Sequence, residues 1–471
     1  LTGSVGPVAA AELRDYRLAL MTIPRTAEEV RAAVERELPR VLADLEQHVA
    51  IESVSADSDR ADQVRASAEF VAGQLRDLGA ADVLIDAADG GQPAVIAHFP
   101  APEGKPTICL YAHHDVQPEG DPALWDTGNP FQVTQKDDRL FARGVTDDKG
   151  GLAMHLAMLR AYEGKPPVGI TVFVEGEEEV GSPTLKGLLD KHRDRLASDV
   201  FVIGDSGNFA VGLPTFTNTL RGLAEAYVEV RTIDHALHSG GFGGVIPDAL
   251  MVLVRLLATL HDDQGNVAVE GLHSEPAPEV DYPEERIRQE SAILDGVEYI
   301  GDGSFAERLW SRPSITIVGL DATPVARASN TLWPSASAKI SMRLAPGEDA
   351  AAAQQKLIKH LESHVPWGAQ VTVRPGEEGD PSVVPFEGPY AEAARSAFRD
   401  AWEAEPVFMG QGGSIPMIAD FQRAYPDATV LVTGVGDPDS RPHGSNESLH
   451  LGDFRKACLS EALLVHNIAT L

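Results

Sequence analysis

Residues 140–203, LFARGVTDDKGGLAMHLAMLRAYEGKPPVGITVFVEGEEEVGSPTLKGLLDKHRDRLASDVFVI, decide the fold. Short β-type runs at Leu140–Arg143, Val168–Val174 and Asp199–Ile203 are separated by two helical segments, Gly150–Tyr162 and Ser182–Leu196. Parallel strands need a crossover, usually a helix, so this alternation predicts an α/β fold with a largely parallel sheet. Ile170–Val174 and Val200–Ile203 are apolar without interruption, which suits strands buried on both faces. Upstream, apolar residues recur at helical spacing from Val30 to Leu45 and from Val64 to Leu78. They predict two helices joined by the Ser/Asp-rich turn Ser53–Asp59. Further β-type runs follow at Ala81–Ile85, Ala94–Phe99 and Thr107–Ala112.

Beyond Thr217 the pattern changes. The alternating strand Ala224–Arg231, helix Ile246–His261, strands Ser314–Val318 and Ala336–Leu344, helix Asp349–His364 and strand Ala369–Arg374 read as a smaller α+β domain inserted into the first. The chain then returns with helix Pro389–Glu403, strand Thr429–Thr433 and helix Asp453–Thr470.

Composition narrows the function. Of 471 residues, 43% are hydrophobic and 23% charged, so wholesale disorder is excluded. Asp and Glu number 71 against 39 Lys and Arg, a net charge of −32. Such a chain repels phosphate backbones and anionic lipid, which excludes nucleic acid and membrane surfaces as partners. Two cysteines, Cys109 and Cys458, make no disulfide framework and favour a reducing compartment. There is no apolar run long enough to span a bilayer, and residues 1–20 lack the basic-then-apolar pattern of a signal peptide. A cytoplasmic protein is expected, with Met21 as the natural start.

Five clusters of metal-type side chains follow predicted strands. In His113-His114-Asp115, residues two apart on an extended chain face the same way, so His113 and Asp115 point together and His114 away. Arg143-Gly-Val-Thr-Asp147-Asp148-Lys149-Gly150 is a strand-to-helix turn, which by itself could be a helix N-terminus with an acidic first turn. Glu175-Gly-Glu177-Glu178-Glu179 sets four carboxylates at the end of an apolar strand. Asp205 closes another, and His443 and Glu447 follow the last. Open α/β sheets bind ligands outside the carboxyl ends of their strands, so one mouth would receive two imidazoles and at least four carboxylates. Carboxylates sharing a site cannot all ionise without compensation. Two divalent cations would outweigh Asp147, Glu179 and Asp205. Histidine and carboxylate donors without thiolate suit Zn²⁺ or Mn²⁺. A pair about 3.5–4 Å apart forms a hydrolytic clamp, with one further carboxylate left free to move protons.

The ordered set HxDV, RGxTDDKG, EGxEExGS, Asp205, His238-Ser-Gly-Gly-Phe-Gly-Gly244, Gly412-Gly413-Ser414-Ile415-Pro416 and His443 resembles the dinuclear metallopeptidases that include aminoacylase, carboxypeptidase G and succinyl-diaminopimelate desuccinylase. Within them it looks most like the carnosinase and cytosolic nonspecific dipeptidase branch. The resemblance implies that His113, Asp147 and Asp205 bind one metal, and that Asp147 bridges to a second held by Glu179 and His443. It implies Glu178 as general base and Asp115 as the carboxylate orienting a neighbouring group. The inserted domain would be a lid and dimerisation domain, with His238 reaching the partner subunit's site to stabilise the oxyanion. Read alone, His238 is a loop histidine in a Gly-rich turn. Arg343 would pair with the substrate's C-terminal carboxylate. Asn330 is a lid candidate or simply a turn residue. Gly413 and Ser414 belong to a segment that either opens a helix with free N–H groups or is an ordinary glycine-rich loop. The branch's histidine before the proline of re-entry is replaced here by Gly388, which bears on a substrate contact rather than on the metal chemistry.

The division implied is a leader at 1–25 without stable order, a catalytic domain from 26–217 and 386–471, and a lid and dimerisation domain at 218–385. The expected activity is hydrolysis of dipeptides by a homodimer carrying two Zn or Mn ions per subunit. The alternative is an N-acyl or N-carbamoyl amino acid amidohydrolase using the same centre.

Overall fold

The computed structural model describes residues 26–276, 280–413 and 416–471. The leader expected at 1–25 lies outside the described residues. The chain forms two units. The first runs to Phe216 and takes in Pro385–Val407 and Ala424–Leu471; the second comprises Thr217–Val384 and Phe408–Arg423.

The first unit is built on a six-stranded sheet. Its strands are β1 (Asp82–Asp86), β2 (Ala94–Phe99), β3 (Thr107–His113), β4 (Gly169–Glu175), β5 (Val200–Ile203) and β6 (Thr429–Val432), in the order β1-β2-β4-β3-β5-β6. The pairs β3/β4, β3/β5 and β5/β6 are parallel; β1/β2 and β2/β4 are antiparallel. Every residue of β4 and β5 is buried, as their unbroken apolar sequences require. Helix Lys149–Ala161 packs on β3, and all of its residues are buried. Its buried cations find partners: Lys149 Nζ donates to the carbonyls of His48 and Ile51 at 3.0 and 2.7 Å, and Arg160 Nη2 pairs with Asp44. Lys149 thus ties two segments of the chain to the start of this helix. Gly151 is required by close approach, since a Cβ there would meet Asp148 Oδ1 at 2.0 Å and the Gly204 carbonyl at 2.7 Å.

Three expectations are corrected. The run Leu140–Arg143 is not a central strand. Arg139–Phe141 pairs antiparallel with Thr134–Lys136 and Ser448–His450 in a separate sheet, leaving 142–148 free to form a turn. Ser182–Leu196 breaks at His192 into helices Leu185–Lys191 and Arg193–Leu196, where the His192 ring is bonded to Asp86 at 2.7 Å. The polar stretch before Pro313 holds the helix Glu284–Ser291, with no buried residue and therefore no apolar stripe to announce it; Arg286–Glu290 and Glu284–Arg288 pairs support it.

The second unit is a four-stranded antiparallel sheet ordered Ser314–Asp321, Ser335–Leu344, Gly222–Arg231, Gln370–Gly379. Burial along Ser335–Leu344 alternates strictly, as a sheet with one covered face demands. Helices Ala249–Ala258 and Ala350–Ser363 provide the cover, packing Leu253, Leu256, Leu357 and Leu361 over Val228, Ile340 and Met342. Phe408–Arg423 joins this unit instead of returning to the first. Strand Val407–Gln411 lies in a small sheet with Thr215–Leu220 and Ser382–Val383, where Arg221 N–H donates to the Gln411 carbonyl at 3.0 Å.

Candidate metal centre

Parallel pairing brings the carboxyl ends of three strands to one rim. His113, the last residue of β3, is in register with Glu175, the last of β4, and Tyr111 with Ile203, the last of β5. Gly204 N–H donates to the Tyr111 carbonyl, so Asp205 stands beside β3. Asp147 arrives on the turn before helix Lys149–Ala161, and Glu178 and Glu179 on the 3₁₀ turn Glu178–Val180. His443 comes from the loop between β6 and Ser448–His450, with a left-handed φ of 62°.

Asp147 is the hub. Its Oδ1 lies 3.1 Å from His113 Nε2 and its Oδ2 lies 3.1 Å from His443 Nε2. Glu179 Oε2 is 3.2 Å from His443 Nε2, and Asp205 Oδ2 is 3.9 Å from His113 Nε2. Glu178 Oε2 stands 4.0 Å from His113 Nε2. Two groups whose ligand atoms lie within 4.8 Å of one another emerge: His113, Asp147 and Glu179, and His113, Asp148 and Asp205. Asp148 was passed over in sequence as an N-cap residue. It occupies that position without a capping bond, its Oδ2 instead receives the His113 N–H, and its buried Oδ1 has no partner.

The surrounding groups hold these side chains. Asp115 is fully buried and accepts the N–H groups of Glu178 and Glu179 at 3.2 and 3.1 Å, with Oδ1 3.5 Å from His113 Nδ1. It thereby fixes the Glu178 turn relative to the His113 ring. His114 points away, onto the Pro93 carbonyl at 2.8 Å. Gln117 grips Glu179 with its backbone N–H on Oε1 and its side-chain amide on Oε2. Glu177 anchors the loop by accepting from Gln92 and Thr184 N–H. Gln117 does not stand out among polar loop residues, its proximity to HxD being the one signal available, and Glu177 is named in the carboxylate cluster without a role of its own.

Electrostatics show an excess of negative charge. Burial, then Asp147 and Glu179, push Asp205 up to about 7, with His113 and His443 opposing. Burial, then Asp205 and Glu179, raise Glu178 well above the carboxylate range, and burial with Asp205 does the same to Asp148. Hydrogen bonds to Asp147 and Glu179 lift His443 to about 10. Burial opposes a charged His113, but its bonds to Asp115 and Asp147 outweigh that and raise it. Burial likewise opposes the Asp147 anion, yet the bonds from His113 and His443 prevail and lower its pKa. The cluster draws protons onto its imidazoles because positive charge is what it lacks. Buried carboxylates that cannot all ionise, an orphaned Asp148 oxygen, and imidazole donors with both cysteines buried elsewhere fit divalent cations bound by N and O ligands.

The remaining candidates lie in the second unit. His238 is exposed, pairs in register with Thr331, and its Nδ1 accepts from Gly240 N–H at 3.0 Å. Asn330 is beside it, its carbonyl taking the Ser239 N–H at 2.9 Å. Arg343 sits opposite Ser314 and Leu223. Arg221, a buried residue that sequence reading missed, donates to the Gly412 carbonyl and to Ser314 Oγ. Burial, then the charge of Arg343, lowers Arg221 to about 10. A lone arginine between two strands was its signal. Helix Pro416–Ala424 follows this segment, whereas Ser414 lies outside the described residues.

Comparison with known proteins extends the picture. The model of peptidase family M20/M25/M40 matches residues 109–467. The Cysteinylglycine-S-conjugate dipeptidase of Corynebacterium striatum is 34% identical over 430 residues, covering 90% of this chain and 94% of that protein. The Beta-Ala-His dipeptidase of Homo sapiens is 30% identical over 383 residues, covering 77% and 75%. The crystal structure of human carnosine dipeptidase 1 superposes with a TM-score of 0.80 at 26% identity, covering 95% of this chain and all of that one. Among the described residues no helix is long and apolar enough to cross a membrane. Because the family match runs unbroken across the centre, from before His113 to beyond His443, this chain belongs to peptidase family M20/M25/M40.

Proposed function

We propose that the chain is a metal-dependent dipeptidase acting on short peptides with a free C-terminal carboxylate. The observation that carries this reading is Asp147, which presents one oxygen to each of two imidazoles at 3.1 Å. His113, Asp147 and Asp205 would hold one divalent cation, with Asp148 beside them, and Asp147, Glu179 and His443 the other. The donor set favours Zn²⁺ or Mn²⁺. When bound, such a pair supplies Lewis-acid polarisation of the scissile carbonyl and a water acidic enough to attack near neutral pH.

The chain's own residues do the rest. Glu178, whose carboxylate makes no hydrogen bond among the described residues, takes a proton from the attacking water and delivers it to the departing amine nitrogen. Asp115 keeps His113 and the Glu178 turn in place. We infer that His238 serves the partner subunit's site, donating to the carbonyl oxygen as charge develops there, with Asn330 alongside. Arg343 pairs with the substrate carboxylate, and the N–H groups of Gly413 and Ser414 assist. The second unit acts as lid and dimerisation domain. A homodimer is supported by its unpaired edge strand, Ser314–Asp321, which exposes Ile317, Val318 and Leu320, and by Met251 and Val254 exposed on helix Ala249–Ala258. Two free, buried cysteines fit a cytoplasmic setting.

The test is a substrate panel of dipeptides and N-acetyl, N-succinyl and N-carbamoyl amino acids, on chelated protein with Zn²⁺ or Mn²⁺ restored in turn. Dipeptide turnover that disappears on chelation and returns with metal is expected. Faster turnover of an acyl or carbamoyl amino acid would instead make the chain an amidohydrolase.

A further inference from the structure

Arg143 and Glu447 are 304 residues apart, are both buried, and form an ion pair of 2.7 Å. A buried pair of this kind contributes little net stability, because desolvation offsets the attraction. Its bonding pattern indicates a different role. The Glu447 carboxylate accepts from Arg143 Nη1 and from three successive donors of one turn: Gly144 N–H at 2.9 Å, Thr146 N–H at 2.9 Å and Asp147 N–H at 3.1 Å. That turn delivers the hub carboxylate. Arg143 Nη2 meanwhile donates to the carbonyls of His443 at 3.0 Å, Gly444 at 3.1 Å and Pro118 at 3.2 Å. One ion pair therefore fixes the backbone of Asp147 and of His443, together with the segment that follows Asp115 and Gln117.

The two ends of the centre depend on this pair unequally. His113 belongs to a parallel strand paired on both sides, and Asp205 stands two residues beyond β5. Glu179 and His443 ride on loops, and the His443 side chain is 59% exposed. We propose that Arg143–Glu447 is a positioning clasp that bears mainly on the cation position formed by Asp147, Glu179 and His443, two of whose three residues it fixes, whereas of His113, Asp147 and Asp205 it fixes only the shared Asp147 and the sheet secures the other two. The inference rests on the two-cation reading above and adds that one position is mainly sheet-held and the other mainly clasp-held.

The experiment is calorimetric titration of the metal-stripped full chain with Mn²⁺ or Zn²⁺, for wild type, Glu447→Gln and Glu447→Asp, with circular dichroism to confirm folding. Glutamine has one acceptor oxygen for four donors and turns an amide toward an arginine. The expected result is two binding events in wild type, and in Glu447→Gln one of them weakened on the order of 10–100-fold and the other distinctly less, as loss of a group supporting a ligand generally does. Partial recovery is expected in Glu447→Asp. Should Glu447→Gln not fold, Arg143→Lys, which keeps the charge and loses the fork onto the His443 and Gly444 carbonyls, gives the same reading. Both events unchanged, or both weakened equally in a folded variant, would overturn the clasp. A wild-type chain that binds no metal would overturn the two-cation reading itself.

Discussion

The two units carry their chemistry differently. In the first, seven groups named from sequence, His113, Asp115, Asp147, Glu178, Glu179, Asp205 and His443, converge within hydrogen-bonding or near-ionic distance; His113 and Asp115 are buried, His443 is exposed and the other four are half-buried. In the second, His238 and Asn330 sit exposed on a two-residue ribbon, and the nearby bonds hold backbone in place. One set is complete in itself. On the function proposed above, the other would be completed by substrate and a second subunit. If so, metal binding and turnover are separable properties of this molecule.

The strongest test of that separation is Glu178→Gln. The change keeps shape and removes the proton carrier, so peptide hydrolysis is expected to fall by about 10²–10⁴ while metal content stays at the wild-type level. Loss of metal with the activity would mean that Glu178 is a ligand and would blur the comparison. His238→Ala should cost somewhat less, about 10²–10³ in turnover, the usual effect of removing one oxyanion donor. Metal analysis and melting temperature should remain those of wild type; a fall in metal content would show that the second unit does contribute to the centre.

The smallest expected effect concerns stability alone. His48, buried and bonded to Ser67 Oγ at 2.7 Å, is held well below its ordinary value of 6.5, first by burial and then by Lys149 and His114. The unfolded chain therefore takes up a proton that the folded chain refuses as pH falls through about 6.5. Stability contributed by the neutral ring is present above that point and is lost progressively on acidification toward the depressed folded value. Glutamine at this position can still donate to Ser67 and does not titrate. Melting curves of His48→Gln between neutral and mildly acid pH should slope less steeply than those of wild type, and equal slopes would remove His48 from the account.

Much of this could be read in the sequence, for identifiable reasons. Uninterrupted apolar runs such as Val200–Ile203 announced strands buried on both faces, and the spacing of His113 and Asp115 announced a shared direction. What escaped was information carried by partners far along the chain. Arg139–Phe141 looks like any short strand until Ser448 is known to be its neighbour. The segment 408–423 belongs with the second unit because of its pairing with Thr215–Leu220, not because of its composition. Glu447 reads as one more acid in an acidic chain, since nothing local reveals that Arg143 lies against it. The helix Glu284–Ser291 has no covered face and hence no periodicity to detect.

The late position of His443 and Glu447 has a consequence for biosynthesis. A ribosome delivers β3 and the Asp147 turn long before it reaches these residues. Until then the nascent polypeptide has neither its second imidazole nor the anion on which three amides of that turn converge. Hydrolytic competence therefore cannot precede synthesis of Glu447.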